Sequence, residues 1–119
     1  MARVVHFEIP SDDPPRAVAF YRDLFGWRIE DANGGTPYWL ITTGEAAEPG
    51  INGAILPRQA PVSAVVNTVQ VESIDATLRR LRELGGRVVT EPSEIPGVGR
   101  FAYWADPDGN LFGVLEQES

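Results

Sequence analysis

His6 and Glu8 are the residues to begin with. His6 is the only histidine in the chain, and Glu8 lies two positions on, in the run Val4-Val5-His6-Phe7-Glu8-Ile9. A strand alternates its side chains, so this spacing puts the imidazole and the carboxylate on one face and Phe7 and Ile9 on the other. An imidazole with an ordinary pKa near 6.5 both donates and accepts close to neutral pH. A carboxylate among apolar neighbours is a base if burial raises its pKa, or the partner of an arginine. His6 and Glu8 are therefore the candidate catalytic and ligand-binding residues. The reading set beside this one is a half-buried histidine hydrogen-bonded within its own fold.

The remaining candidates are aromatic and amide side chains. Tyr38-Trp39 and Tyr103-Trp104 occupy matching strands of two similar halves. Alternation turns one member of each pair toward a pocket and the other into packing, and the order of letters does not say which. Two such pairs around an apolar cup suit a flat organic ligand. Asn67 stands at the start of the second half where His6 stands in the first, as a further polar contact. Other chemistry is poorly provided for. Without cysteine there is no thiolate nucleophile or thiolate metal site. The serines sit in loops or caps with no nucleophile elbow, and the glycine pairs form no phosphate loop.

The positioning elements follow from periodicity. A strand over 4–9 leads to Asp12-Asp13-Pro14-Pro15, where either aspartate caps a helix over 14–25 with proline in its first turn. Ala17, Phe20, Tyr21 and Leu24 make its expected apolar stripe, and Gly26 ends it. Strands are expected over 27–30, 38–43 and 51–56, with a turn at Asn33-Gly34-Gly35. After a linker the order repeats: a strand over 64–71, a helix over 74–84 capped by Ser73, and strands over 87–90, 101–105 and 111–116. Ile74, Leu78, Leu81 and Leu84 form the second helix's expected stripe. Pro107-Asp108-Gly109-Asn110 is a strong hairpin turn. Ile95-Pro96-Gly97-Val98-Gly99 reads as a turn, with a mobile lid as the other possibility. The chain is thus β-α-β-β-β written twice: module one about 1–56, linker about 57–63, module two about 64–119. Gly26 matches Gly86 and Gly53 matches Gly113 at one spacing, and His6 matches Asn67 one residue further on.

This layout, with Asp13 to Tyr21 running into Leu24-Phe25-Gly26-Trp27 and with Ala105 to Asn110 near the end, resembles the vicinal oxygen chelate superfamily. That group includes glyoxalase I, extradiol dioxygenases, fosfomycin-resistance proteins and bleomycin-resistance proteins. The resemblance covers essentially the whole chain. It implies an α+β fold of two βαβββ modules related by pseudo-twofold symmetry, with curved antiparallel sheets forming a cup. Metal-dependent members draw ligands from the first and last strands of each module. Carried over, those positions are His6, Gly53, Asn67 and Gly113. Only His6 is a good donor, and a tight divalent site needs three or four. No metal or other cofactor is expected, although a divalent metal is possible if Glu8 with Glu48 or Glu116 fills the gaps. Empty glycine positions would widen the cup.

Composition bounds the partners. With a formal charge of −7, 43% hydrophobic and 23% charged residues over 119 positions, the chain reads as one ordinary globular domain. The acidic balance argues against nucleic acid. No apolar run has membrane-spanning length, and the N-terminus enters a strand directly, so a cytoplasmic location is expected. Three functions compete: a metal-free module binding a small organic molecule, a metal-dependent lyase or dioxygenase, and a homodimer serving association alone. Dimerisation is expected with any of them, and whether the protein is an enzyme is left open.

Overall fold

The computed structural model describes residues 2–118; Met1 and Ser119, the outer ends of the expected modules, lie outside the described residues. The elements are β1 (Arg3–Ser11), α1 (Pro14–Phe25), β2 (Arg28–Asp31), β3 (Trp39–Thr42), β4 (Asn52–Pro57), β5 (Val66–Gln70), α2 (Ile74–Glu83), β6 (Arg87–Val88), β7 (Ser93–Ile95), β8 (Gly99–Ala105) and β9 (Leu111–Gln117). The expected α+β order of two βαβββ modules is therefore present, with one short strand, β7, added where a plain loop was expected. The chain divides into two compact units, His6–Val65 and, among the described residues, 66–118 with 2–5.

In the first unit the strand order is β2-β3-β4-β1. β2 and β3 pair antiparallel, as do β3 and β4, but β1 and β4 pair parallel. In the second unit β5 and β9 pair parallel, while β8 pairs antiparallel with β6, β7 and β9. The strand pairing within each unit is mixed, not wholly antiparallel as expected. The cause is the helical crossover: it returns the chain so that the strand after it runs in the sense of the strand before it. Two hairpin reversals then bring the last strand of the module back parallel to the first.

α1 begins where Asp13 accepts from the Arg16 N–H at 3.4 Å and Pro14 and Pro15 fill the first turn. It stops at Gly26, whose φ of 72° is left-handed and whose N–H reaches the Arg22 carbonyl at 2.8 Å. Its buried stripe is centred on Val18, with Ala17 and Tyr21 beside it, packed against Ile29, Ile41 and Ile55. Phe20 and Leu24, expected in that stripe, are 57% and 58% exposed. At 100° per residue Phe20 is turned well away from Val18, so the stripe lies one row over from the sequence reading.

α2 is capped by Ser73, which accepts from the Ala76 N–H at 3.1 Å. Ile74 and Leu78 are buried against Ala102 and Val114, with Leu81 partly so. Leu84 has passed the helix end and is exposed. The 106–110 turn is held by Asp106, whose carboxylate accepts from the Asp108 and Asn110 backbone N–H groups and from the Asn110 amide, each at 2.9 Å. Those bonds, the Asn110 side chain first, keep the Asp106 carboxyl below its usual range. Residues 95–98 form the tight turn between β7 and β8, closed by the Val98 N–H on the Ile95 carbonyl at 2.9 Å. Among the described residues no helix is long and apolar enough to cross a membrane.

Candidate functional site

Register decides which side chains share a face. In a paired ladder, residues directly opposite point the same way. Phe7 pairs with Gly53, Ile9 with Ile55, Ile41 with Gly53, and Trp39 with Ile55. Phe7, Ile9, Ile41, Ile55 and Trp39 all belong to the core against α1. The other face carries His6 and Glu8, with Asn52 and Ala54 opposite them and Leu40 opposite Ala54. Tyr38, immediately before β3, joins that face, as its contacts with both candidates show. The Tyr38-Trp39 ambiguity is thereby resolved. Tyr38 stands with His6 and Glu8, and Trp39 packs under the helix.

The three polar groups form a chain. The Tyr38 hydroxyl donates to Glu8 Oε2 at 2.9 Å, and His6 Nε2 lies 2.9 Å from the same hydroxyl. The phenol has one proton. Given to the carboxylate, it leaves the phenol oxygen to accept from His6, so Nε2 carries the imidazole hydrogen. Glu8 is buried, at 6% exposure, and His6 is half-buried. Burial pushes the His6 pKa below its usual 6.5, and the Glu8 charge opposes this only in part. The imidazole is thus neutral at physiological pH. Nδ1 bears its lone pair, has no hydrogen-bond partner among the described residues, and is not sealed in the interior.

The second unit shows the same logic with a different phase. Val114, Ala102 and Trp104 pack against α2, and Asn67 pairs with Phe112, which is opposite Trp104. Asn67 therefore takes the face that packs against α2, not the free face expected for a polar ligand contact. The face away from the helix carries Thr68, Gly113, Phe101 and Tyr103. Thr68 was not among the sequence candidates. It is 1% exposed, and its hydroxyl has no partner among the described residues. Only the ladder register identifies it. Tyr103 meets Phe101 edge-on at 4.8 Å, while Trp104 stacks on Phe112 at 4.9 Å.

The two glycines at expected ligand positions are explained by packing. A Cβ on Gly53 would press on the Phe7 carbonyl and come within 2.6 Å of the Phe7 ring. Gly53 thus lies on the helix side, away from His6. A Cβ on Gly113 would come within 2.6 Å of Thr68 Oγ1 and 2.7 Å of the Phe101 ring. Neither glycine widens a cup: neighbours already fill the space a side chain would need. The sequence match of Gly53 with Gly113 also places them on different faces relative to their helices, so it is one residue out of phase with the structural one.

A divalent ion does not fit these donors. Among the described residues no group of three or more His, Asp or Glu side chains comes together in a way that could hold one. His6 Nε2 is engaged by Tyr38. The two reserve carboxylates are occupied with backbone: Glu48 Oε1 accepts from the Glu45 N–H, and Glu116 Oε1 accepts from the Ile74 N–H at the start of α2, each at 2.8 Å.

Comparison with known proteins places this architecture. Residues 3–114 match the family model described as Glyoxalase/Bleomycin resistance protein/Dioxygenase superfamily. The chain is 41% identical to the anthracycline biosynthesis protein DnrV of Streptomyces peucetius over 115 residues, covering 92% of this chain and 39% of that protein. It is 30% identical to a glyoxylase-like domain-containing protein of Didymella fabae over 117 residues, covering 90% and 88%. Against CFP32 of Mycobacterium tuberculosis, 34% identical, the coverage is 92% and 42%. The chain thus spans about two fifths of the length of DnrV and CFP32. Methylmalonyl-CoA epimerase from Mycobacterium tuberculosis shares the fold, with a TM-score of 0.73 at 20% identity over 98% of this chain and 88% of that one. With two βαβββ modules in place and this match along nearly its whole length, the chain belongs to the Glyoxalase/Bleomycin resistance protein/Dioxygenase superfamily.

Proposed function

We propose that the protein binds a small, flat organic molecule on the face of its first module that carries His6, Glu8 and Tyr38, without a resident metal. The observation that carries this reading is the Tyr38 hydroxyl joining Glu8 and His6 at 2.9 Å on each side. It fixes three polar groups as a ready-made recognition centre and takes up the imidazole nitrogen bonded to it. Leu40, 47% exposed, supplies apolar surface on the same face, and apolar surface with a few polar groups is the usual composition of a small-molecule site. Trp39 and Asn67 are left out because of the faces they occupy. The name of DnrV ties that relative to anthracycline biosynthesis, which favours a fused aromatic ring system as the ligand class.

The test is a titration of the untagged protein with an anthraquinone, followed by quenching of tryptophan fluorescence. The reading expects saturable binding that weakens about tenfold in Tyr38→Phe, the cost of roughly 1.4 kcal/mol in polar contacts. No binding, or binding unchanged by both Tyr38→Phe and His6→Gln, would contradict it. A homodimer is proposed alongside, on the strength of the exposed Phe20, Leu24 and Phe25 side chains of α1.

A further inference from the structure

We propose that His6 is a general base that takes a proton from its bound ligand through Nδ1, with Tyr38 and Glu8 as positioning residues behind it. The proposal rests on the ligand-binding reading above and adds a reaction to it.

The donor count fixes the direction. A carboxylate has no hydrogen to give, so the Tyr38 proton lies on the bond to Glu8 Oε2, and the Nε2 hydrogen lies on the bond to Tyr38. Only one neutral tautomer satisfies both bonds, and it presents the Nδ1 lone pair. Nδ1 is the one atom of the three-residue chain shown to be without a hydrogen-bond partner among the described residues while still reached by solvent. Glu8 is less suited to the role, because it is buried and already accepts from Tyr38.

The chain also meets the charge the reaction creates. When Nδ1 takes a proton, the imidazolium's other N–H already points at the Tyr38 oxygen, whose own hydrogen points at the Glu8 carboxylate. Passing the Nε2 hydrogen to Tyr38 and the Tyr38 hydrogen to Glu8 returns a neutral imidazole, now protonated at Nδ1, beside a neutral carboxyl. One proton leaves the ligand and one arrives at Glu8. A base oriented by a third group in this way is the general pattern of activated side-chain catalysis. Burial keeps the imidazole in its basic form at neutral pH, and Glu8 is the charged group acting on it. The reaction class is proton abstraction from a weakly acidic C–H or O–H of a flat organic substrate.

A generic carbon acid tests this without knowledge of the natural ligand. In 5-nitrobenzisoxazole, removal of the C3 proton sends the C–H electron pair into a forming nitrile as the N–O bond breaks, and a coloured phenolate leaves. The untagged full chain should accelerate this at least about 10²-fold over the same concentration of imidazole, the low end of general-base catalysis. The pH profile should have its midpoint below 6.5. His6→Gln should lose the acceleration. Tyr38→Phe should lower it about tenfold, shift the midpoint, and show mixed tautomers in the imidazole ¹⁵N spectrum, a change that simple loss of packing would not produce. Calorimetry with the unreactive analogue 5-nitroindazole separates the two readings. Analogue binding without acceleration over imidazole overturns the base and leaves the binding reading standing. Neither binding nor acceleration overturns both. Acceleration that survives His6→Gln also overturns the proposal.

Discussion

At the scale of single residues, the site depends on the one proton of the Tyr38 hydroxyl, which lies between Glu8 and His6. Replacing Tyr38 by Phe leaves buried Glu8 without that donor and His6 Nε2 without its acceptor. Loss of a bond to a buried charged group costs about 1–3 kcal/mol, so denaturant unfolding of Tyr38→Phe should show a stability loss in that range. His6 makes stability depend on pH. Its folded pKa lies below 6.5, so between the two values the unfolded chain holds the proton more tightly. The contribution of neutral His6 is fully present above pH 6.5 and is lost as pH falls through 6.5 toward the folded value. Unfolding curves from pH 8 to 5 should show this decline, and His6→Gln should remove the part due to the histidine. The sequence made His6 and Glu8 legible through alternation alone. Tyr38 stands there only as half of an ambiguous pair, because the side on which a strand enters the sheet is set by register, which depends on a distant partner.

At the scale of elements, the parallel pairings β1–β4 and β5–β9 are what the sequence concealed. The family resemblance implied that Gly53 was a vacated ligand position beside His6, but the ladder sets it opposite Phe7, under α1. Gly53→Ala would force a Cβ against the Phe7 ring and carbonyl. Overpacking of this kind costs about 1–3 kcal/mol, a drop of several degrees in Tm. Ligand binding on the opposite face should survive at temperatures where the variant is folded. If Gly53→Ala instead abolished binding while Tm was unchanged, the glycine would be lining the site after all. The helix boundaries were readable because caps are local: Asp13, Gly26 and Ser73 act within four residues of themselves. The buried stripe of α1 was not, because Phe20 and Val18 are equally apolar in sequence and only packing chooses between them.

At the scale of the molecule, the two-module order was visible as an internal repeat, whereas the phase between its halves was not. Phe20, Leu24 and Phe25 lie exposed together on α1, and a second copy of the protein is the proposed cover. Light scattering after gel filtration should give the mass of a dimer, and a Phe20→Glu, Leu24→Glu double variant should give a monomer with its far-ultraviolet spectrum intact. A wild-type monomer at high concentration would contradict that proposal without touching the site. Because the chain has one histidine, a hydrogen-bonded polar centre can be told from a metal site by a single spectroscopic signal. Long-range ¹⁵N spectra of the untagged protein report on His6 alone. His6 should be a neutral imidazole protonated at Nε2, with a pKa below 6.5, and neither should change on dialysis against zinc, nickel or manganese. An imidazole protonated at Nδ1, whose Nε2 signal shifts or broadens in step with one equivalent of metal, would contradict this assignment.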